Sequence, residues 1–410
     1  QGCRVTVVTS SAYELDRLPR RFRTVFLFRP SRIKRLLVRR GSVGGRRPFL
    51  NALRSARLRM LYGSLALRLL WRRPDVVHFQ SVSYGRDLFL VRLVAGLGFP
   101  VVYTAHDLLP HDSNSPEERE ALASLYRRVD RVIVHADANR AELLKEFQVG
   151  AERVEVVPHG SYDFLLPEGE IERVAARTRL GLPSSGRIVL FLGLIKRYKG
   201  LEVLVDAFRQ IAGRLPDAKL LIVGGLFPNA AGYSFYRQLL DEIAGDPQVI
   251  TIPEYVPVET VGLYLCAADV VALPYVKTYH SGVLLAAYAA GRPVVVTDTG
   301  GMPEVVEEGR TGFVVPTRDP EALGSALARI LENAPRAAAM GERAGQLART
   351  TYSWERIAVR TARLYRAVAR ARSVRGLGLR FRVVRTAPPA AAAENDGSGF
   401  ADGREKRRQT

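Results

Sequence analysis

Short apolar runs alternate with longer amphipathic runs through most of the chain. The apolar runs are rich in Val, which is typical of parallel strands that are buried on both faces. They cover residues 4–9, 76–79, 101–104, 132–134 and 154–157 in the first half and residues 188–192, 220–223, 249–252, 270–273, 294–297 and 313–315 in the second. Strands that alternate with helices in this way predict an α/β fold of two Rossmann-like, doubly wound domains.

Several of the amphipathic runs carry signals for a helix start. The run SPEE at residues 115–118 has the pattern of a capping box with Pro at the first helical position, so a helix is predicted from there to about Arg128. A helix that begins at Ser281-Gly282 ends at Gly291 and leads through Pro293 into a strand. Further helices are predicted over residues 201–213, 319–333 and 354–372.

Residues 158–185 interrupt the pattern with Pro and Gly and have the composition of a linker. The predicted domains are therefore residues 1–165 and 166–350, followed by a helix at residues 351–372. Because the chain enters a strand almost at once, we expect the first domain to lack its first strand. Residues 373–410 turn to Ala, Pro, Gly and charge without a period, which predicts a disordered tail.

The composition favours a cytoplasmic protein. Hydrophobic residues make up 47% and charged residues 25% of the chain, and no run of 18 uncharged apolar residues occurs, so no membrane span is predicted. Cys3 and Cys266 are the only cysteines and lack the spacing of metal ligands. Their scarcity is typical of a reducing compartment.

The positive charge is concentrated at the beginning of the chain. The net charge is +20, and residues 1–73 hold 19 of the 61 Lys and Arg residues against only Glu14 and Asp16. Such a segment attracts nucleic acid, anionic lipid or a phosphorylated substrate. Aromatic residues are not interleaved with the charges, which disfavours nucleic acid. The open alternatives are a plain solvated surface and peripheral binding to an anionic membrane surface, at the inner membrane face.

Two strand-to-helix junctions in the second half carry candidate chemistry, because ligands of open parallel sheets bind beyond the carboxyl ends of the strands. Lys196, Arg197 and Lys199 follow one strand, and the helix start at Ser281-Gly282 follows another. A helix start without a side-chain cap offers free amides to a phosphate. Together the two junctions suit a diphosphate. No Walker-type motif occurs, and the run VGG at residues 223–225 is too short for a dinucleotide fingerprint, which disfavours a kinase or dehydrogenase.

A series of motifs, in this order and spacing, resembles the family 4 (group 1) glycosyltransferases of the GT-B fold from about residue 2 to residue 370. The motifs are VTVVTSS, VVYTAHD, VPHGSYD, FLGLIKRYKG, AADVVALPY, SGVLLAAYAAGRPVVVTDTGGMPEVVEEGRTGFVVP and YSWERI. The resemblance implies two Rossmann-like domains that face a cleft, with the C-terminal helix crossing back to the first domain. It also implies transfer of a sugar from a nucleotide-sugar donor to an acceptor, with retention and with neither a metal nor a cofactor required.

The sequence departs from the family pattern at two places. Thr278 and Ala286 stand where the family usually has two Glu residues, which in the family typically contact the donor sugar and the ribose. Leu194 stands at the position of a usual Arg, and Lys196 or Arg197 is expected to supply its charge. We interpret these changes as a variant subgroup. An inactive homologue is the alternative.

The resemblance and the strand ends together define the candidate site. His106, which follows a first-domain strand, is expected to contact the donor sugar or the reacting centre, and Lys196 and Lys199 are expected to stabilise the departing diphosphate. Glu304 could either reach the cleft or cap a helix. The predicted donor-binding residues are Gly193, Arg197, Thr278, His280, Ser281, Gly282, Val283, Leu284 and Glu304.

Four further residues have local interpretations. Asp107 is expected to orient His106 or to cap a turn, and His111 and His159 are expected to be loop residues. Trp354 is expected to anchor the last helix by core packing.

The predicted function is that of a retaining glycosyltransferase that uses a nucleoside-diphosphate sugar. Its acceptor is expected to be a glycan or a lipid-linked sugar, such as a polysaccharide precursor. The rival hypotheses are a non-catalytic partner of an active transferase and a sugar-nucleotide epimerase of the same architecture. An epimerase would need acidic residues beside the sugar, and the sequence places none there.

Overall fold

A computed structural model of the chain describes residues 5–9, 23–26, 60, 62–80, 87–110, 115–169, 171–228 and 232–374. The predictions for His111, for most of the basic segment and for the tail beyond residue 374 lie outside the described residues. No helix in the described ranges is long and apolar enough to cross a bilayer.

The first half of the chain forms parallel sheets, as predicted. Strand β1 (Thr6–Thr9) pairs with β2 (Arg23–Phe26), and four further strands form a sheet in the order β3-β4-β5-β6. These are β3 (Val77–Phe79), β4 (Val101–Thr104), β5 (Arg131–Val134) and β6 (Val154–Val156). The helices are a first helix that includes residues 60 and 62–72, α1 (Asp87–Gly96), α2 (Pro116–Arg128) and α3 (Asp137–Phe147).

The predicted capping box at the start of α2 is confirmed in its first half. The Ser115 side chain accepts a hydrogen bond from the Glu118 amide at 3.2 Å, and Pro116 is the first helical residue. Strand β2 was missed by the sequence analysis, because its RTVF run has only two apolar residues and lies among many Arg residues.

The second half forms one sheet of six parallel strands in the order β12-β11-β10-β7-β8-β9. The strands are β7 (Arg187–Leu192), β8 (Ala218–Val223), β9 (Val249–Ile252), β10 (Val270–Leu273), β11 (Val294–Thr297) and β12 (Gly312–Val315). The helices are α4 (Arg173–Arg179), α5 (Leu201–Ala212), α6 (Tyr233–Ile243), α7 (Val258–Ala267), α8 (Gly282–Ala289), α9 (Met302–Val305), α10 (Pro320–Leu331) and α11 (Ala334–Arg349).

Helices cover both faces of this sheet, which explains why its strands are apolar at nearly every position. Along β7, Val189 and Phe191 enter one core cluster, whereas Ile188 and Leu190 enter another on the opposite face. Successive strand residues point to opposite faces, so a strand covered on both sides has no polar alternation. The continuous apolar runs in the sequence therefore follow directly from this layered arrangement.

The last helix, α12 (Trp354–Val374), crosses back to the first domain, as the resemblance implied. Its Ile357, Leu364 and Val368 pack against Val102 and Ile133 of the first sheet and against Val157. Each aliphatic side chain that is fully buried in such a contact contributes about 1.5–3 kcal/mol. The helix therefore completes a core of the first domain.

Trp354 corrects the expectation of core packing. Its side chain is 43% exposed, and its indole N–H donates a 2.8 Å hydrogen bond to the Ser161 carbonyl. A methyl group at Gly160 would lie 2.5 Å from the indole ring, so the ring rests on that backbone. Through this hydrogen bond Trp354 fixes the segment that connects the two domains, residues 158–185, to the start of α12.

The two domains contact each other closely near the strand ends. Tyr279, which belongs to the second domain by sequence, is 2% exposed and packs in the core cluster of the first domain. Its carbonyl accepts a 3.0 Å hydrogen bond from the buried Asn139 side chain. A methyl group at Gly301 would collide with the Ala136 Cβ. Glycine at residue 301 therefore allows the close approach of the domains.

Candidate active site

The cationic loop after β7 places a lysine in a buried position. The Lys199 side chain is only 8% exposed, and burial together with the charge of Lys196 lowers the pKa of Lys199 to about 8. Lys196 is half-buried, with its Nζ 5.9 Å from the Tyr198 ring centroid. Arg197 is exposed and lies close enough to Tyr236 to influence the pKa of its hydroxyl. Lys196 is thus better placed than Arg197 to supply charge near Lys199.

The start of α8 is capped, which corrects the prediction of a bare helix terminus. The Ser281 side chain accepts a 3.2 Å hydrogen bond from the Leu284 amide, so that amide is not available to a ligand. Ser is among the preferred N-cap residues because its short side chain reaches the third helical amide. The amides of Gly282 and Val283 receive no acceptor from the residues that the structure describes.

The two junctions lie side by side at Gly193, the residue that directly follows β7. Its φ is 111°. A methyl group there would lie 2.5 Å from the Lys199 Nζ and 4.0 Å from the Val283 Cγ2. Only glycine combines this backbone conformation with so little room. The structure therefore brings the buried lysine and the first turn of α8 close together.

Tyr162 lies over the same helix start, and the sequence analysis did not select it. A methyl group at Gly282 would be 2.8 Å from the Tyr162 hydroxyl oxygen. The Tyr162 ring also stacks on His159, with 5.2 Å between the centroids. Tyr162 lies within the predicted linker, residues 158–185, where only its closeness to α8 in space distinguishes it from an ordinary loop residue.

Thr278 and Glu304 are already bonded to other parts of the protein. The buried Thr278 hydroxyl donates to the His280 carbonyl at 2.8 Å, so it turns back onto its own loop. The Glu304 carboxylate accepts hydrogen bonds from the amides of Asp137 and Ala138 at 2.8 and 2.6 Å. Of the two roles considered for Glu304, the structure therefore shows the helix cap.

Glu304 caps a helix of the other domain. Helix α3 starts after Ala136, which has no side chain to cap it, and Glu304 supplies the missing acceptor across the interface. A carboxylate at a helix start also interacts favourably with the helix dipole. This contact links the two domains directly.

Four histidines meet where the domains face each other. His106 follows β4, and its carbonyl accepts a 3.0 Å hydrogen bond from the Nδ1–H of His280 in the second domain. His135 follows β5 and places its Nε2 3.1 Å from the His106 Nδ1. His159 follows β6, and its ring centroid lies 5.6 Å from that of His280.

His106 and His280 are among the residues predicted from the sequence, whereas the positions of His135 and His159 beside them were not predicted. Strands β4, β5 and β6 are neighbours in one parallel sheet, so residues that follow them emerge at the same edge. The signal was present, because a histidine follows each of the three strands within a few residues. This signal becomes apparent only when the residues that follow all three strands are considered together, because neighbouring parallel strands end at the same edge of the sheet.

Burial keeps these histidines neutral. It lowers the pKa of His135 to about 2, helped by the neighbouring His280, and it also lowers the pKa of His106, His159 and His280. His78, in β3, has its pKa lowered to about 4 by burial and by His106, and its ring nitrogens contact Thr104 and Tyr365. His106 therefore faces the second domain as an uncharged hydrogen-bonding group.

A cavity of about 550 Å³ lies at the domain junction, away from the cationic loop. It is lined by residues that include Arg140, Glu304, Tyr352 and Arg360, and neither Lys199 nor Gly282 borders it. The candidate donor site therefore rests on the convergence of loops at Gly193 and not on this cavity.

Two Rossmann-like domains, with ligand-directed loops at facing strand ends, define the GT-B class of glycosyltransferases. The chain matches the family model for glycosyl transferases group 1 over residues 186–333 and the model for glycosyltransferase family 4 over residues 1–161. It belongs to this family of glycosyltransferases, so the predicted fold and enzyme class are confirmed.

Curated relatives include D-inositol 3-phosphate glycosyltransferases. The protein from Corynebacterium urealyticum is 33% identical over 309 residues, which cover 72% of this chain and 72% of the relative. The protein from Corynebacterium glutamicum is 30% identical over 304 residues, which cover 71% and 72%.

Solved structures of glycosyltransferases have the same fold. Sucrose-phosphate synthase from Thermosynechococcus elongatus superposes with a TM-score of 0.65 at 25% identity and covers 77% of this chain and 79% of its own. Anabaena HepE in complex with UDP-glucose gives a TM-score of 0.62 at 19% identity, with 77% and 82% covered. The second likeness concerns the fold alone.

Proposed function

We propose that this protein transfers a sugar from a nucleoside-diphosphate sugar to an acceptor, with retention of the anomeric configuration and without a metal. The observation that carries the proposal is the meeting of Lys199 with the first turn of α8 at Gly193. Curated relatives that are named glycosyltransferases support the transfer of a sugar.

The converging groups match the charge that develops on the leaving diphosphate. Breaking the glycosyl–phosphate bond increases the negative charge on the diphosphate, and fixed donors that stabilise this charge lower the barrier. A lysine with a pKa of about 8 is mostly protonated at pH 7, and its charge acts strongly because the side chain is buried. The amides of Gly282 and Val283 add the dipole of α8. Lysine and amides together supply the positive charge that a metal would otherwise provide.

The sugar is proposed to lie between this diphosphate site and His106. Neutral His106 can hydrogen-bond to a sugar hydroxyl without placing a cation beside a ring that becomes positive in the transition state. Thr278 and Ala286 stand where the family usually has its Glu pair. In the proposed mechanism the acceptor attacks from the face that the diphosphate leaves and passes its proton to the phosphate, so no carboxylate pair is needed.

A donor panel tests this proposal. The purified protein is incubated with UDP-, GDP- and ADP-sugars, and release of the nucleoside diphosphate is measured with and without candidate acceptors. Acceptor-dependent release in the presence of EDTA is the expected result, and NMR of the product is expected to show the anomeric configuration of the donor. Binding of a donor without any turnover would indicate a non-catalytic homologue instead, and an inverted product would exclude retention.

The acceptor is proposed to be lipid-linked and presented at an anionic membrane surface. Met60, Leu67 and Trp71 are 73%, 69% and 75% exposed on a helix whose other side buries Tyr62 and Leu65. Spacings of seven and eleven residues bring the three exposed side chains onto one face of the helix. This face is called the apolar stripe below.

Basic residues accompany the apolar stripe. Arg68 and Arg72 are exposed, and the Arg72 guanidinium lies 4.5 Å from the Trp71 ring centroid. An apolar face beside arginines has the chemistry that binds the interface of anionic lipid bilayers. The concentration of Lys and Arg in residues 1–73 supports the same location at the inner membrane face.

Vesicle binding tests the membrane part separately. Wild-type protein is expected to sediment with phosphatidylglycerol vesicles at low salt and to bind phosphatidylcholine vesicles weakly. The double substitution Leu67→Ser and Trp71→Ser is expected to lower partitioning at least about tenfold, because each apolar side chain contributes more than about 1 kcal/mol. Phe235→Ser, which removes an exposed ring from the second domain, is the matched control. Unchanged partitioning of the double variant would reject the apolar stripe as the membrane contact.

A further inference from the structure

His135 connects His106 to the end of a neighbouring strand. The Nδ1 of His135 lies 2.8 Å from the carbonyl oxygen of Val157, and its Nε2 lies 3.1 Å from the Nδ1 of His106. The three residues follow the neighbouring strands β4, β5 and β6, so these hydrogen bonds run along one edge of the sheet. The His135 ring is therefore held between a backbone group of fixed position and the ring that is proposed to face the donor sugar.

The Val157 carbonyl fixes the direction of both hydrogen bonds. A carbonyl oxygen only accepts, so the Nδ1 of His135 carries the hydrogen. Burial, helped by the neighbouring His280, lowers the pKa of His135 to about 2, so the ring is neutral at pH 7 and its Nε2 has a lone pair. That Nε2 accepts, and the Nδ1 of His106 must donate. Because burial also lowers the pKa of His106, its ring is neutral and its Nε2 is left as an acceptor.

The backbone of His106 is held from the other domain. Its carbonyl oxygen accepts a 3.0 Å hydrogen bond from the Nδ1–H of His280. The half-buried His106 ring lies with its centroid 5.0 Å from that of His135 and 5.7 Å from that of His280. Half a turn of this ring about χ2 would take its Nδ1 away from His135 and break their bond. His135 thus fixes the orientation of the ring as well as the place of its hydrogen.

We propose that His135 is a positioning residue for the transfer, which holds His106 in the Nδ1–H tautomer with the lone pair of Nε2 available to a hydroxyl of the donor sugar. This role rests on the function proposed above. A hydroxyl that donates to Nε2 gains electron density at its oxygen, which suits a sugar ring that becomes positive in the transition state. The opposite tautomer would present an N–H to the same hydroxyl and withdraw electron density from it.

Two amide variants separate the two hydrogen bonds of His135. An Asn amide reaches about as far as Nδ1, so His135→Asn is expected to keep the bond to the Val157 carbonyl and to lose the acceptor for His106. A Gln amide reaches about as far as Nε2, so His135→Gln is expected to keep the acceptor for His106 and to lose the bond to Val157. Each variant retains one hydrogen bond, so similar Tm values are expected. A purely structural role of His135 predicts equal activities as well.

Steady-state release of nucleoside diphosphate measures the effect on transfer. His135→Asn is expected to lower kcat/KM at least about tenfold, because a buried donor on His106 loses its partner, whereas His135→Gln is expected to stay within about threefold of wild type. His78→Gln is the control, since both ring nitrogens of His78 are bonded to Thr104 and Tyr365 and not to His106. It is expected to retain the activity of the wild type.

NMR of protein with ¹⁵N-labelled histidine determines the tautomers without any turnover. The chain has six histidines, and the signals of His106 are assigned by their absence from His106→Gln. In wild-type protein and in His135→Gln, His106 is expected to be the Nδ1–H tautomer. In His135→Asn it is expected to shift towards the Nε2–H tautomer, which predominates in free histidine.

Three results would overturn the role of His135. These are a hydrogen on the Nε2 of His106 in wild-type protein, an unchanged tautomer in His135→Asn, and equal rates of the Asn and Gln variants. Failure of the transfer reaction itself is distinguishable from these results. If wild-type protein releases no nucleoside diphosphate from any donor, the function proposed above is wrong, and the NMR spectra still decide whether His135 orients His106.

Discussion

Lys199→Ala is expected to lower the turnover of the nucleotide-sugar donor by about 10²–10³-fold, the loss that follows removal of one preorganised charge-stabilising donor. The Lys199 Nζ is the buried cation beside Gly193 and the start of α8. Its interaction with the diphosphate grows as negative charge develops, so kcat should fall more than the donor KM rises. Steady-state release of nucleoside diphosphate measures the effect.

Folding of the Lys199 variant is expected to be normal. Burying a cation without an opposite charge costs free energy, and alanine removes that cost, so the Tm should not fall. Lys277→Ala is the matched control, since Lys277 is an exposed lysine on the neighbouring loop. Turnover of Lys199→Ala close to that of Lys277→Ala would contradict the diphosphate site.

Gly301→Val is expected to lower kcat by about 100-fold although residue 301 belongs neither to the lysine loop nor to α8. A side chain at Gly301 would collide with the Ala136 Cβ, and its Cβ would lie 3.1 Å from the Tyr279 carbonyl. The valine therefore forces the domains apart. A displacement of about 1 Å between groups that must react together can cost roughly 10²-fold in rate.

Two measurements distinguish separation of the domains in Gly301→Val from a folding defect. Small-angle scattering of Gly301→Val is expected to show a larger radius of gyration with an unchanged Tm for the second domain. Gly245→Val is the control, because a side chain at Gly245 would meet nothing within 4 Å. Full activity of Gly301→Val would show that this close contact is not needed for transfer.

The sheets could be predicted from the sequence because burial on both faces leaves a local trace. Runs such as VVYT and VVVT are apolar up to a final Thr, and the predicted strands were found within two residues of their observed bounds. Strand β2 has no such run. It pairs with β1 in a parallel register, Arg23 beside Thr6 and Phe26 beside Thr9, which its own four residues do not signal.

Site residues whose position depends on one loop could be predicted from the sequence. Residues whose position depends on contacts between distant segments could not. Lys199 follows a strand and precedes a helix, so its place could be read locally. Glu304 caps a helix that starts 167 residues earlier in the chain. His135 and His106 follow two neighbouring strands, β5 and β4, and bond to each other. The cap on α8 was missed although it is local, because Ser281 was counted as a free amide and its side chain was overlooked.

The contact of α12 with the first sheet has a consequence for synthesis. Val102, Ile133 and Val157 are covered by Ile357, Leu364 and Val368, which lie about 200 to 270 residues further along the chain. At a translation rate of roughly 5–20 residues per second, the ribosome needs about 10–50 s to add those residues. During that interval the emerging first half exposes an apolar surface, so we expect it to be a client of ribosome-associated chaperones until its last helix is released.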